Sequence, residues 1–345
     1  MLDLVKELCA LSGVSGCEDD VREYLSCRAA PFADSIRIDA MGNLIVFKKG
    51  ASDCGKSILL TAHMDEVGMI IRRITEEGFL KFAFIGGVDR RVAIGKRVLV
   101  GSSRIPGVIG LKAYHLVNDE EEKRIPKLDE FYIDIGAPNR KMAETLVSPG
   151  DFAAFDTEQT EFGSGFFRAK AIDDRAGCAV LLRLLETPLP VDCTFAFTVQ
   201  EEVGARGAFG AAFSVKPDIA LVVESTTAAD IPPLEPYNQV CVPGKGVVIP
   251  FMDGGTIYDK ELLALLTGLA RRRGIPWQTK QYISGGTDAQ AIQRSRAGVR
   301  TAGIALAARY LHAPASVICI QDLERLFDLA MEFLIHFGEE ARDAI

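Results

Sequence analysis

Two adjacent glutamates, Glu201 and Glu202, follow a run of β-forming residues from Cys193 to Val199. Like charges a few ångströms apart raise each other's pKa, so this pair is costly at the end of an apolar strand unless a cation lies between the two acids. The pair therefore indicates a divalent metal site, with Glu202 as a ligand and Glu201 as a general base beside it. A solvated strand end is the alternative, and for this pair taken alone it is the better interpretation.

Histidines and further acids follow other predicted strands in the same way. Ligands of open α/β sheets bind at the carboxyl ends of the strands, so we expect these side chains on one rim. Histidine and carboxylate ligands without cysteine suit zinc, cobalt or manganese. Five ligands beside one base are too many for a single catalytic zinc. They fit two metals about 3.5–4 Å apart, which activate a water and polarise a carbonyl. The residues are His63, Asp173, Glu201, Glu202, Glu224 and His312.

Each candidate also has a purely structural interpretation. A lone histidine at a strand end is more often hydrogen-bonded than metal-bound. Asp173 and Asp174 could cap the helix that follows, and we assign that role to Asp174. Glu224 could pair with an arginine. We interpret His336, in the amphipathic C-terminal helix, as structural, and keep His115 as a weaker site or interface candidate.

Asp65 lies two residues after His63. In an extended segment these two side chains point the same way, so Asp65 could accept the spare ring N–H of His63. Such a bond fixes the tautomer of a metal-bound histidine. A simple turn aspartate is an equally good interpretation.

The type of secondary structure predicted around these residues changes along the chain. Residues 1–67 and 170–345 read as an α/β domain, with a continuous apolar strand before His63 that is typical of a sheet buried on both faces. Residues 68–169 read as short β-runs broken by glycines, which predicts an inserted all-β domain. We also predict strands at 219–223, 278–283 and 301–306, a helix at 140–147, a solvated loop at 118–124, and a helix opened by Ser284–Ala289.

Composition excludes several classes of protein. The chain has 345 residues, 39 basic and 47 acidic side chains, and a net charge of −8, which disfavours nucleic acid as a partner. No apolar run approaches the ~20 residues of a membrane span, and the N-terminus lacks a signal-peptide pattern. The eight cysteines form no C-x-x-C pair, so we expect reduced thiols and a cytoplasmic protein.

In five of its segments the sequence resembles the co-catalytic metallo-aminopeptidases that include glutamyl aminopeptidase and the tetrahedral (TET) aminopeptidases, some of them once named endoglucanases. The similarity spans nearly the whole chain, and the segments form a specific signature only together and in order. They are Ala62–Gly68, Ala171–Arg175, Val199–Gly204, Gly285–Ala289 and Arg309–His312.

The resemblance implies a zinc-exopeptidase-like fold, in which a mixed, largely parallel sheet is flanked by helices and the β insertion mediates dimerisation within an often twelve-subunit assembly. It implies short peptide substrates and two divalent ions per subunit, for which the ligand types favour zinc or cobalt, with manganese as a further option. The composition argues against a membrane or nucleic-acid partner. The family more often has aspartate at the position of Glu224, whose longer arm can still coordinate. In the resemblance Asp173 bridges the two metals. His63 and Glu224 complete one metal site, and Glu202 and His312 complete the other. Glu201 is the base, and Asp65 supports His63.

Two other functions stay open at this stage. A glycoside hydrolase needs two carboxylates about 5–10 Å apart and no metal, and it would leave His63 and His312 without a role. A non-catalytic scaffold could keep a degenerate metal site. The preferred N-terminal residue of a peptide substrate does not follow from the sequence, nor does the role of the Gly285–Asp288 segment.

Overall fold

The computed structural model of the protein describes residues 1–232 and 234–343. Its helices are α1 (Leu2–Ala10), α2 (Asp19–Ala29), α3 (Arg90–Ala93), α4 (Asp119–Glu122), α5 (Arg140–Ala143), α6 (Ile172–Glu186), α7 (Arg206–Val215), α8 (Lys260–Arg273), α9 (Ala289–Ile292) and α10 (Ile320–Asp343). Among the described residues, no helix combines the length and the apolar character that crossing a membrane requires.

The strands fall into a large mixed sheet and a closed barrel. Those of the sheet are β1 (Ser35–Ile38), β2 (Leu44–Lys48), β3 (Ile58–His63), β10 (Thr160–Phe162), β11 (Phe166–Ala169), β12 (Cys193–Thr198), β13 (Ile219–Thr227), β14 (Val247–Val248), β15 (Trp277–Gln278), β16 (Arg300–Arg309) and β17 (Ser316–Cys319). Those of the barrel are β4 (Gly68–Ile74), β5 (Leu80–Ile85), β6 (Arg97–Val100), β7 (Ile105–Gly110), β8 (Tyr132–Asp134) and β9 (Phe152–Phe155).

The centre of the large sheet is parallel, in the order β12-β3-β13-β16, and antiparallel strands extend it at both edges. Every residue of β3 is buried, because helices cover both faces of the sheet. Helices α1, α2, α6 and α10 pack on one face around Phe195, Leu221 and Ile304. The predicted α/β class with a mixed sheet is confirmed, and parallel pairing occurs at the centre and between the short strands β14 and β15.

The barrel has a core of its own, built around Phe82, Phe131, Ile133 and Phe155. Its strands lie between Gly68 and Phe155, whereas β10 and β11 hydrogen-bond into the large sheet through β17. The strands from β4 to β9 thus form a closed six-stranded barrel, and the short helices α3, α4 and α5 lie between them in sequence. The domain limits at 68 and 169 stay a prediction.

Several predicted elements differ in length from those observed. β13 continues past Glu224 to Thr227, because β16 pairs with it along its whole length and itself runs to Arg309. The strand predicted at 278–283 is limited to Trp277–Gln278. The helix predicted at 140–147 ends at Ala143.

The structure also corrects one predicted loop. The charged tract at 118–124 contains helix α4, because Asn118 and Glu121 form a capping box at its start. The helix predicted to open at Ser284–Ala289 is present as α9, which begins at Ala289 with Asp288 as its N-cap.

Candidate metal centre

His63 is the last residue of β3, directly beside Thr198 of the neighbouring strand β12. Its ring Nε2 lies 3.4 Å from Asp173 Oδ1 and 3.4 Å from Glu224 Oε1. These three residues, the His63 cluster, each offer a ligand atom within 4.8 Å of the others. Glu224 reaches the cluster from inside β13, because this strand projects beyond the end of β3.

A second group, the His312 cluster, consists of His312, Glu202 and Asp173. The Nε2 of His312 lies 3.3 Å from Glu202 Oε2 and 3.9 Å from Asp173 Oδ2. Asp173 therefore belongs to both clusters, with one carboxylate oxygen towards each histidine. The side chain of His312 is 42% exposed and that of His63 only 2%, so the His312 cluster faces the open side of the site.

These separations fit metal ligation. Ligands about 2.0–2.1 Å from a tetrahedral zinc lie about 3.3–3.4 Å from one another. The closest contacts within the two clusters are 3.4 Å and 3.3 Å. A carboxylate whose two oxygens face two histidines suits a bridge between two cations. The residues present therefore fit a pair of divalent ions.

The buried charges of the site favour the same interpretation. Burial and the neighbouring carboxylates raise the pKa values of Glu201 and Glu202 well above the usual range. Burial also raises the pKa of Glu224 to about 8, with His63 opposing it. Burial alone would lower the pKa of His63, but Glu224 and Asp173 raise it well above its usual value. An acidic cluster of this kind favours the binding of cations.

Glu201 lies in the turn between β12 and α7, beside the two clusters but outside both. None of the described residues donates a hydrogen bond to its carboxylate. The carboxylate faces a cavity of about 520 Å³, within the usual size range of small-ligand sites. The other residues that line the cavity include His63, Gly87, Asp173, Glu202, Glu224, Lys280, Gly285, Gly286, Thr287 and His312.

Asp65 contacts more than the histidine that we expected it to support. The Nδ1 of His63 lies 3.4 Å from Asp65 Oδ1 and 3.1 Å from the Asp65 carbonyl oxygen. The Asp65 carboxylate also accepts the backbone N–H groups of Glu201 at 2.9 Å and Glu202 at 3.1 Å, and the hydroxyl of Ser15 at 2.6 Å. Asp65 thus joins the histidine to the turn that carries the two glutamates.

Asp174, next to the shared aspartate, lies outside both clusters. It leaves helical geometry, and its Oδ1 accepts the Gly177 N–H at 2.9 Å, as a helix cap does. The cap assigned to it from the sequence is therefore present.

The structure also adds Lys280, which the sequence did not single out, and gives Asp288 a partner that its motif did not indicate. Lys280 is buried in the cavity wall, where its ammonium group donates to the Ser284 carbonyl oxygen at 3.2 Å. Asp288 accepts a hydrogen bond from the hydroxyl of Thr198, and burial raises its pKa to about 6. The Gly285–Asp288 motif was the sequence signal for Asp288, but its spacing did not indicate which side chain Asp288 would contact.

The barrel contributes one wall of the site through the loop after β5. A Cβ on Gly87 would lie 3.1 Å from His312 Nδ1, and one on Gly86 would lie 3.3 Å from the Cβ of Glu202. The Asp89 N–H donates to the His312 carbonyl oxygen at 3.3 Å. A side chain at either position would therefore press on the His312 cluster.

The two remaining histidines lie outside both clusters. His115 is exposed in a short 3-10 turn at Tyr114–Leu116. His336 is on α10, with its Nε2 3.2 Å from Glu340 Oε1, as its structural interpretation implies.

Comparison with known proteins gives a consistent result. Residues 42–329 match the family model described as M42 glutamyl aminopeptidase. The glutamyl aminopeptidase of Lactococcus lactis is 30% identical over 333 residues, which cover 93% of this chain and 92% of that protein. An aminopeptidase of the archaeon Desulfurococcus kamchatkensis is 34% identical, with a TM-score of 0.91 and coverage of 99% and 97% of the two chains. The TET1 peptidase of Pyrococcus horikoshii, described as assembling into a tetrahedron or a large octahedral shell, is 34% identical, with a TM-score of 0.85 and coverage of 96% and 98%.

Proposed function

The chain belongs to the M42 glutamyl aminopeptidase family and hydrolyses peptide bonds, and from this premise we propose that it is a dinuclear metal-dependent aminopeptidase of short peptides. One observation carries the proposal. The two oxygens of Asp173 face two different histidines, each of which has a further glutamate beside it.

In this proposal His63, Asp173 and Glu224 would hold one ion, and Glu202, His312 and the shared Asp173 would hold the other. When bound, the two ions supply a water of lowered pKa and polarise the carbonyl of the first peptide bond. Zinc or cobalt suits the mixture of nitrogen and oxygen ligands, and manganese is a further option.

Glu201 acts as the base. It takes the proton of the attacking water and returns that proton to the leaving amine. Two observations support this role. Its carboxylate has no hydrogen-bond donor among the described residues, and burial raises its pKa well above that of an ordinary glutamate, which favours proton uptake near neutral pH.

Asp65 positions the site in two ways. It faces the Nδ1 of His63, so that Nε2 is left for the metal, and it accepts the N–H groups of Glu201 and Glu202. Loss of a group that orients a ligand usually lowers metal affinity or activity about 10- to 100-fold.

The test is metal removal followed by reconstitution. We expect EDTA to abolish the release of nitroaniline from aminoacyl-nitroanilides, and zinc, cobalt or manganese to restore it, with two ions bound per chain. A glycoside hydrolase would keep its activity in EDTA, and a scaffold would show no turnover with any metal. Full peptidase activity in a folded, metal-free sample would contradict the proposal.

We also propose that the protein is a homo-oligomer, in which the barrel mediates dimerisation and the dimers build a dodecamer. The assembly described for the Pyrococcus horikoshii peptidase supports this. So do exposed apolar side chains on the barrel, among them Val92, Ile94, Val108 and Leu116. Light scattering on the purified protein would measure the subunit number, and a monomer would contradict it.

The eight cysteines are unpaired, and five of them are buried. Free thiols of this kind suit a reducing compartment, which supports the cytoplasm as the proposed location.

A further inference from the structure

Backbone N–H groups of the turn that carries the glutamate pair are held by side chains from distant parts of the chain. The Val199 N–H donates to Asn43 Oδ1 at 3.0 Å. The N–H groups of Glu201 and Glu202 donate to the two carboxylate oxygens of Asp65. The direction in which the Glu201 side chain leaves the backbone therefore depends on how these bonds fix the turn.

Gln200, the residue between these two anchors, has a left-handed backbone, with φ of 57°. A residue with a Cβ adopts this conformation only at a cost, so its surroundings must hold it there. Its N–H donates to Glu18 Oε1 at 3.2 Å, and the same oxygen accepts the Gly16 N–H at 2.7 Å. Glu18 is 182 residues away in sequence and only 4% exposed.

A role as an ordinary helix cap does not explain Glu18. It stands at the N-cap position of α2, yet its side chain makes no capping hydrogen bond to that helix. The carboxylate bonds instead to the loop before the helix and to Gln200. The segment also connects to Asp65, because the Ser15 hydroxyl donates to Asp65 Oδ2.

We propose that Glu18 is a positioning residue for the reaction: by accepting the Gln200 N–H, it holds the left-handed residue that aims Glu201 into the cavity. The inference rests on the proposed role of Glu201 as the base. Glu18 lies outside both metal clusters and does not line the cavity, so it acts through the turn alone.

Two conservative variants separate geometry from charge. Glu18→Gln keeps a carbonyl oxygen at the same reach and loses the charge, whereas Glu18→Asp keeps the charge and withdraws the acceptor by one methylene. We expect Glu18→Asp to lower kcat about 10- to 100-fold, the scale of a misplaced catalytic group. Its KM should stay within about twofold of wild type, because ground-state binding is unchanged. Glu18→Gln should keep kcat near wild type, and both variants should keep the metal content of wild type.

Asp322→Ala is the matched control. Asp322 is likewise a buried carboxylate that accepts two backbone N–H groups, those of Gly244 and Gly246, and these partners lie outside the turn. This variant should lower the melting temperature and leave kcat unchanged. Wild-type kcat in Glu18→Asp, equal losses in Glu18→Asp and Glu18→Gln, or an equal loss in Asp322→Ala would each overturn the proposal.

Hydrogen exchange gives a readout that does not depend on activity. The amides of residues 199–203 should exchange about tenfold faster in Glu18→Asp than in wild type, since local opening becomes easier, and should be unchanged in Glu18→Gln. Unchanged exchange in Glu18→Asp would overturn the proposal that Glu18 holds the turn in place. Faster exchange in a protein without metal-dependent activity would support that hold and count against the proposed function.

Discussion

Replacing Glu201 by glutamine tests the proposed chemistry most directly. The substitution keeps the shape of the side chain and removes its ability to take a proton. No described residue donates a hydrogen bond to the Glu201 carboxylate, and Glu201 belongs to neither metal cluster. The change therefore breaks no observed contact, and both ions should stay bound.

The expected loss follows from the role of a general base. Proton transfer by a positioned side chain contributes about 10²- to 10⁴-fold in rate. At 1.36 kcal/mol for each factor of ten, the barrier should rise by about 3–5 kcal/mol. The loss should fall on kcat, because the group acts in the transition state and does not hold the substrate.

Glu202→Gln is the control, because its carboxylate lies 3.3 Å from His312 within a metal cluster. It should lose both activity and metal, whereas Glu201→Gln should lose activity alone. Initial rates on an aminoacyl-nitroanilide and metal content by plasma emission spectrometry measure the two effects. Wild-type kcat in Glu201→Gln would refute its role as the base, and loss of metal in that variant would make Glu201 a ligand.

Two further predictions follow from the same geometry. Gly87→Ala should press on the His312 ring, since its Cβ would lie 3.1 Å from Nδ1, and should weaken binding of one ion about tenfold in metal titrations. Gly268→Ala in α8 should have no such effect, and unchanged affinity in Gly87→Ala would contradict the prediction. In chelator, the free energy of unfolding should fall as pH rises from about 4.5 to about 8, because the folded chain holds a proton on Glu224 that the unfolded chain releases. Urea titrations across that range should show a smaller fall in Glu224→Gln, and a rise in wild type would refute the sign.

The residues of the site could be found from the sequence because of their place at strand ends. His63 ends one apolar run and the Glu201–Glu202 pair lies just beyond another, and parallel strands bring such ends to one edge of the sheet. The family resemblance is confirmed, and with it the peptide-bond hydrolase. The metal-ligand roles remain predictions, although the structure brings these side chains together.

Parts of the fold were underestimated for a physical reason. Glu224 was taken as the residue after a strand, but β13 continues because its partner β16 is equally long. Strand length depends on the pairing partner, which a local apolar pattern does not contain. The same holds for the barrel, where glycine-broken runs indicated β structure but not its closure.

The sequence by itself indicated the chemistry that we propose for this protein, since residue type and position at strand ends predict two histidines and their acids on one rim. Only the tertiary structure decided what holds that chemistry in place. The bond from Glu18 to Gln200 spans 182 residues, and Gly87 reaches His312 from a separate barrel. Such contacts depend on how the folded chain brings distant loops together, and the local periodicity of a sequence does not contain that information.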